Sequence, residues 1–218
     1  METNNYTNVT IGWSTDLVCQ DFSLIEAVSD CAKFFPGCKF TIIGNEKLHK
    51  SQYTADMILK ESVIFNYYGL SIDPIIACNQ LSRIHKNRSD SDITILLTGQ
   101  EMIPRLIGDS YEYHNENFAI ISLKNSMGLF EIRSITATLL CHVMGHYYID
   151  GGKYHHYHCS HDHCVMSDTD DLSRIKKFAA MRDSDFEFDT LFCDECRKAL
   201  RKSLRWKEVC PASISCSI

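Results

Sequence analysis

The chain has 218 residues, a formal net charge of −6 at pH 7 and a pI near 5.9, and these values disfavour several classes of protein. Its 44% hydrophobic and 23% charged residues are typical of a soluble globular protein. The acidic balance disfavours nucleic acid, whose binders need a basic surface. No apolar run approaches the ~20 residues that span a bilayer. We therefore expect neither a nucleic-acid nor a membrane partner.

Eleven cysteines are many for a chain of this length. The first residues lack the basic start and the apolar segment of a secretory signal, so we expect a cytoplasmic protein. In that compartment cysteines are more often thiols or metal ligands than disulfides. Five of them stand singly in apolar surroundings and are expected to be buried small side chains: Cys19, Cys31, Cys38, Cys78 and Cys141.

The first half of the chain predicts alternating helices and strands. Residues 1–8 are polar and are expected to lack regular structure. A capping box at residues 23–26 opens a helix that Pro36 and Gly37 end. Residues 38–43 then predict a strand, and residues 52–67 a second helix. The polar stretch 83–92 predicts a loop.

In the second half, residues 93–98 and 118–123 are nearly continuous apolar runs, typical of strands covered on both faces. A long polar segment around residues 111–117 separates them. A helix follows, with apolar residues at helical spacing from Ile132 to Val143. Further helices are predicted over residues 172–181 and 195–206.

Composition changes at Gly151 and Gly152. We predict an N-terminal α/β subdomain over residues 1–150, which ends in the helix just described. Residues 151–218 then form a Cys/His-rich C-terminal subdomain. Because that segment has few apolar residues, we expect a structural metal ion to stabilise it.

Two histidines of that helix are candidate metal ligands. His142 and His146 are four residues apart, so both rings lie on one face of a helix and can reach one metal ion. Zinc peptidases with this spacing carry a Glu directly after the first His, as the general base. Val143 occupies that position here. Seven of the ten histidines fall between residues 142 and 163, and four are most simply exposed: His155, His156, His161 and His163.

Four cysteines form two short pairs, Cys159 with Cys164 and Cys193 with Cys196. This spacing is close to that of a zinc ribbon, in which four thiolates complete a tetrahedral shell. A redox-active or disulfide-bonded Cys193–Cys196 pair is the alternative. Met166 follows Cys164 by two residues, where a methionine at a tight turn can pack beneath a zinc site.

Together these residues resemble the archaemetzincins. That family's pattern is His-Glu-x-x-His-x-x-Gly-x-x-His-Cys, four residues, Cys-x-Met, and later Cys-x-x-Cys. The matching positions, within a resemblance that extends over most of residues 23–200, are His142, His146, His158, Cys159, Cys164, Met166, Cys193 and Cys196.

The resemblance implies an α+β, metzincin-like fold with a twisted mixed sheet, an active-site helix and a zinc-stabilised C-terminal subdomain. It also implies two zinc ions. One would bind His142, His146 and His158 above Met166, and the other the four cysteines. The chain departs from the family at Val143 and by six extra residues between His146 and His158. His155, His156 and Asp150 therefore remain rivals of His158 as the third ligand.

Three functions remain open from the sequence. Removing a general base typically slows hydrolysis by roughly 10²–10⁴-fold, so we expect a catalytically impaired pseudo-peptidase that binds a peptide or protein partner as a monomer. The alternative is an active zinc metallopeptidase in which Asp150 or a histidine replaces the base. A zinc module for nucleic acid fits poorly with the acidic charge.

Overall fold

A six-stranded mixed sheet organises the molecule, with helices on both of its faces. The computed structural model describes residues 6–48, 51–66, 69–88, 91–103, 112–124, 132–150, 159–161, 164–167, 191–203 and 213–216. The strands are β1 (Thr7–Trp13), β2 (Cys38–Gly44), β3 (Val63–Asn66), β4 (Gly69–Ile72), β5 (Ile93–Thr98), β6 (Glu112–Asn115), β7 (Phe118–Ser122) and β8 (Ser213–Cys216). The helices are α1 (Asp21–Ala32), α2 (Ala55–Glu61), α3 (Pro74–Arg88), α4 (Ile132–Asp150) and α5 (Asp194–Lys202), with a 3-10 helix at Thr15–Gln20.

The strand order of the sheet is β6-β7-β5-β1-β2-β8. All neighbours are parallel except β6, which runs antiparallel to β7 at one edge. The short hairpin β3–β4 forms a separate two-stranded sheet. The predicted α+β fold with a mixed sheet is confirmed.

Alternation along the strands divides the core into two clusters. Ile95 and Ile121 belong to the cluster that contains α1 and α4, whereas Leu96 and Ile120 belong to the cluster of α2 and α3. Successive strand residues point to opposite faces, so apolar residues at consecutive positions cover both sides of the sheet. This arrangement places α4 against one face of the sheet.

The predicted helix over residues 52–67 is wrong in its second half. Thr54 caps α2 by accepting a hydrogen bond from the Met57 amide at 3.2 Å, and the helix ends at Glu61. Residues 63–66 pair instead with β4 as a hairpin. Val63, Ile64 and Phe65 are β-branched or aromatic, and such residues favour a strand that has a partner to pair with.

Several other predicted boundaries also shift. The capping-box helix begins at Asp21 and ends at Ala32, before Pro36. The predicted loop over residues 83–92 is helical as far as Arg88, because it forms the polar end of α3. Strand β1 begins at Thr7 within the segment expected to be irregular, and the sequence did not indicate β6 or β8. The predicted helix over residues 172–181 lies outside the described residues.

Of the five single cysteines, four are buried as expected, but Cys19 is exposed at the 3-10 helix. Within the described ranges, no helix combines the length and apolar character needed to cross a bilayer.

Residues on both sides of the predicted boundary at Gly151 share one core. Val165, Met166 and Phe192 belong to the same buried cluster as α1 and α4. The ring of Phe192 meets that of Phe35 edge-on, with centroids 6.1 Å apart. Strand β8 continues the main sheet beside β2. These contacts fix the C-terminal cysteines relative to α4.

Candidate metal sites

Helix α4 lies almost wholly inside the molecule. Ile132 and residues 134–148 are buried, and after Arg133 the helix has no charged residue until Asp150. Its first turn is held to α1 by Arg133, whose Nε donates to Asp30 Oδ2 at 2.7 Å. His142 and His146 are therefore interior residues, each with 0% exposure.

The two imidazoles converge through their Nε2 atoms, which are 3.1 Å apart. Two nitrogens bound to one tetrahedral zinc at the usual Zn–N distance are about 3.4 Å apart. Two neutral imidazoles at this separation fit a shared zinc ion, because each has a lone pair available at Nε2.

Both Nδ1 atoms have partners on the opposite side of the rings. His142 Nδ1 lies 2.6 Å from the carbonyl oxygen of Val165, and His146 Nδ1 lies 3.0 Å from Asp150 Oδ2. Such partners fix the tautomer in which Nδ1 carries the proton and Nε2 is free to bind metal. The carboxylate of Asp150 thus orients His146 from the side away from the shared position.

Gly145 allows Met166 to approach the helix between the two histidines. A β-carbon at position 145 would lie 2.2 Å from the Met166 sulfur, and Met166 itself is fully buried. Any larger residue at position 145 would displace the methionine. The chain therefore places a thioether directly beneath the turn of α4 that carries the histidine pair.

Val143 follows His142 at the general-base position of zinc peptidases. Its side chain is 3% exposed and belongs to the apolar cluster of α1 and α4. A valine can neither accept a proton nor hydrogen-bond a ligand. Among the residues that the structure describes, Asp150 is the acid beside the pair, and its carboxylate contacts His146 Nδ1.

His114 is a site residue that sequence reasoning missed. It lies on β6 opposite Ala119, and Ala119 belongs to the cluster that includes α4, so His114 faces that helix. Its ring is 3% exposed and stacks on His146, with centroids 4.3 Å apart and an interplanar angle of 29°. The segment around His114 is polar and short, so its sequence gives no sign that this side chain is buried. The pairing of β6 with β7 shows that it is.

The four cysteines form the second candidate site. One sulfur from each lies within 4.8 Å of all the others: Cys159, Cys164, Cys193 and Cys196. The sulfurs of Cys159 and Cys193 are 3.8 Å apart. Three of the four residues are buried, with Cys193 intermediate. The predicted four-cysteine cluster is present, and this ligand set fits zinc.

Backbone amides point at these sulfurs. The Cys193 amide donates to Cys164 Sγ at 3.3 Å, and the His161 amide donates to Cys159 Sγ at 3.3 Å. A hydrogen bond from Cys196, reinforced by the backbone amides, lowers the pKa of Cys164 to about 5. Burial raises the pKa of Cys159 to about 12, although the His161 amide opposes the shift. The cluster thus favours a thiolate at Cys164 even without metal.

The remaining predicted ligands cannot be placed. His158, with its rivals His155 and His156, lies outside the described residues, as does His163. His161 is exposed, and its Nε2 lies 3.8 Å from Glu195. The third ligand of the histidine site therefore stays a prediction.

Comparison with known proteins identifies the fold. The archaemetzincin of Methanopyrus kandleri superposes with a TM-score of 0.63 at 11% sequence identity, covering 94% of this chain and 98% of that chain. The archaemetzincin of Archaeoglobus fulgidus, solved in complex with malonate, gives a TM-score of 0.54 at 13% identity, covering 88% and 99%. No protein-family profile and no curated protein sequence matches the chain. The chain thus has the archaemetzincin fold, and the resemblance seen in the sequence is confirmed at the level of the fold.

Proposed function

We propose that this chain is a zinc-binding protein of archaemetzincin fold that binds a peptide or protein segment and hydrolyses it very slowly or not at all. One zinc ion is held by His142, His146 and His158, and the other by the four cysteines. When bound, the first ion would supply Lewis-acid chemistry to a carbonyl group. The protein would then act as a pseudo-peptidase.

Val143 carries this proposal. A metallopeptidase needs a proton acceptor beside the metal, since removing a general base costs roughly 10²–10⁴-fold in rate. Val143 is buried among apolar side chains, which makes replacement of the base by a water chain unfavourable. Asp150 contacts the far nitrogen of His146, where it orients a ligand and does not face the shared metal position.

The edge of the sheet supports peptide binding. Among the strands that the structure describes, β6 ends the strand order, so no other described strand of the sheet pairs with its outer side. An extended peptide can add to such an edge through main-chain hydrogen bonds. Because His114 on β6 touches His146, a peptide along this strand would pass close to the histidine pair.

An active metallopeptidase is the second candidate, and a specific contact favours it. The His114 ring lies against His146, so a third imidazole stands next to the pair, where Val143 supplies no carboxylate. Histidine is a common general base. If His114 served in this way, the unmodified chain would cleave peptides.

Turnover measurements on three forms of the zinc-loaded chain test the proposal. Wild type is expected to show little or no zinc-dependent cleavage of a mixed peptide library. Val143→Glu is expected to raise the rate by about 10²-fold, whereas Val143→Gln, which has the same size but no basic carboxylate, is not. Rates are expressed per zinc bound at the histidine site, so partial unfolding of either variant does not affect the comparison.

Fast cleavage by wild type that chelators abolish would overturn the proposal and support the second candidate. Equal rates for Val143→Glu and Val143→Gln would show that the missing base is not what limits hydrolysis.

A further inference from the structure

We propose that His114 is a positioning residue of the histidine site, hydrogen-bonding through a ring nitrogen the ligand group that completes the metal coordination. This inference rests on the proposed function, because it requires a metal at His142 and His146. Val143 cannot form a hydrogen bond to a ligand group, and in this proposal His114, on the edge strand β6, forms it instead.

The three rings form a continuous buried group. The rings of His142 and His146 meet edge-on with centroids 4.6 Å apart, and the ring of His114 stacks on that of His146 with centroids 4.3 Å apart. All three side chains are at most 3% exposed. An imidazole has two ring nitrogens, each able to make a hydrogen bond, so His114 can offer one of them to a ligand group at this site.

The stacked geometry favours contact with the bound ligand over direct ligation. The donor atoms of metal ligands must converge on one point, whereas the contact of His114 with the pair is through the face of the His146 ring, at an interplanar angle of 29°. Among the described residues, three or more metal-binding atoms converge within 4.8 Å only at the four cysteines. His114 is therefore next to the pair without joining its ligand set.

The position of His114 on β6 determines which helix its side chain faces. It projects from β6 towards α4, since it pairs with Ala119 on that face of the sheet. Tyr113, its neighbour on the strand, packs against the opposite cluster. His114 thus lies on the face of β6 that is directed towards α4, where its ring meets His146.

Acetate binding to the cobalt-substituted full-length chain tests the proposal. Zinc is retained on the four cysteines, and cobalt is placed on the histidines, where its visible absorption reports bound anions. His114→Phe keeps an aromatic ring against His146 but removes both nitrogens. We expect it to weaken acetate binding by about tenfold, the effect of losing one hydrogen bond to a charged group, with cobalt affinity unchanged. Tyr113→Phe, on the opposite face, is the matched control and should leave both affinities unchanged.

Two other results for His114→Phe would overturn the inference, and they can be told apart. Unchanged acetate affinity in His114→Phe would show that His114 only packs against His146. A large loss of cobalt affinity would make it a ligand. His142→Ala separates this inference from the proposed function: if that variant keeps the cobalt absorption, the metal is not at the histidine pair, and the proposed function fails whatever His114 does.

Discussion

Position 145 shows how a missing β-carbon shapes the histidine site. In Gly145→Ala the added carbon would lie 2.2 Å from the sulfur of Met166, and Met166 is fully buried. We expect a loss of about 1–2 kcal/mol of unfolding free energy, even though alanine favours a helix by up to about 1 kcal/mol. Chemical denaturation measures the change.

Adding Met166→Ala to that variant provides the control. If the clash is the cause, the double variant loses less stability than the sum of the two single variants. Simple additivity would show that Gly145 and Met166 are not in contact.

Asp150 tests the orientation of His146. Its carboxylate contacts His146 Nδ1 at 3.0 Å, and removing such a partner typically lowers metal affinity by about 10–100-fold. We expect Asp150→Ala to show this loss at the histidine site by competitive zinc titration. Asp150→Asn retains an accepting oxygen and should lose less. Equal losses in the two variants would mean that the charge, and not the hydrogen bond, is responsible.

At the level of single residues, the sequence predicted ligands where spacing alone brings them together. His142 and His146 need only a helix to face the same way. His114 needs the register of β6 on β7 and the packing of that sheet against α4, which no local pattern contains. Val143 was recognised because a family pattern defines what should stand beside His142.

The contact between α1 and α4 predicts a pH-dependent stability. Burial tends to raise the pKa of Asp30, but hydrogen bonds and charges from Arg133 and Lys33 outweigh it and lower the pKa below 3.8. A carboxyl group whose pKa is lower in the folded chain stabilises it above the unfolded pKa, and that contribution is lost as the pH falls through the folded value. Asp30→Asn should therefore cost about 1–3 kcal/mol at pH 7 and progressively less below pH ~4.

Glu26→Gln is the matched control, because Glu26 meets the same Arg133 at 3.2 Å but is more exposed, at 34%. Its cost should be at most about 1 kcal/mol. A difference between wild type and Asp30→Asn that is the same at pH 7 and pH 3 would contradict the assignment.

The cysteine cluster is expected to determine how many zinc ions the chain binds. Cys196 is fully buried within the cluster, so Cys196→Ser should lose one zinc per chain and destabilise the segment after Gly152. Cys216→Ser removes an exposed thiol outside the cluster and should change neither property. Metal analysis of the two purified variants gives the answer, and unchanged zinc in Cys196→Ser would remove the cluster as a zinc site.

Among the elements, those with long apolar runs were predictable and those defined by pairing were not. Residues 93–98 form β5 as expected because they are covered on both faces. Strand β1 lies at the centre of the sheet, yet Thr7, Asn8, Thr10 and Gly12 interrupt its apolar pattern. Ile64 is predicted on the apolar face of a helix with Ala55 and Ile58, but residues 63–66 pair with β4 and form a strand.

For the whole molecule, motif resemblance predicted the fold class, and the change in composition at Gly151 and Gly152 predicted two subdomains. The apolar residues that follow Gly152 are few, but Val165, Met166 and Phe192 enter the main core. Sequence composition reports how many apolar residues a segment has and not where they pack. The division of the chain at residue 150 stays a prediction.

The proposed function depends above all on a zinc ion at His142 and His146 that has no general base beside it. Anomalous diffraction from crystals of the zinc-loaded chain, recorded on both sides of the zinc absorption edge, tests it most directly. We predict two zinc peaks per chain, one enclosed by the four cysteine sulfurs and one bonded to Nε2 of His142 and His146, with Val143 beside it. A single peak at the cysteines, with no metal at the histidine pair under zinc excess, would contradict the account.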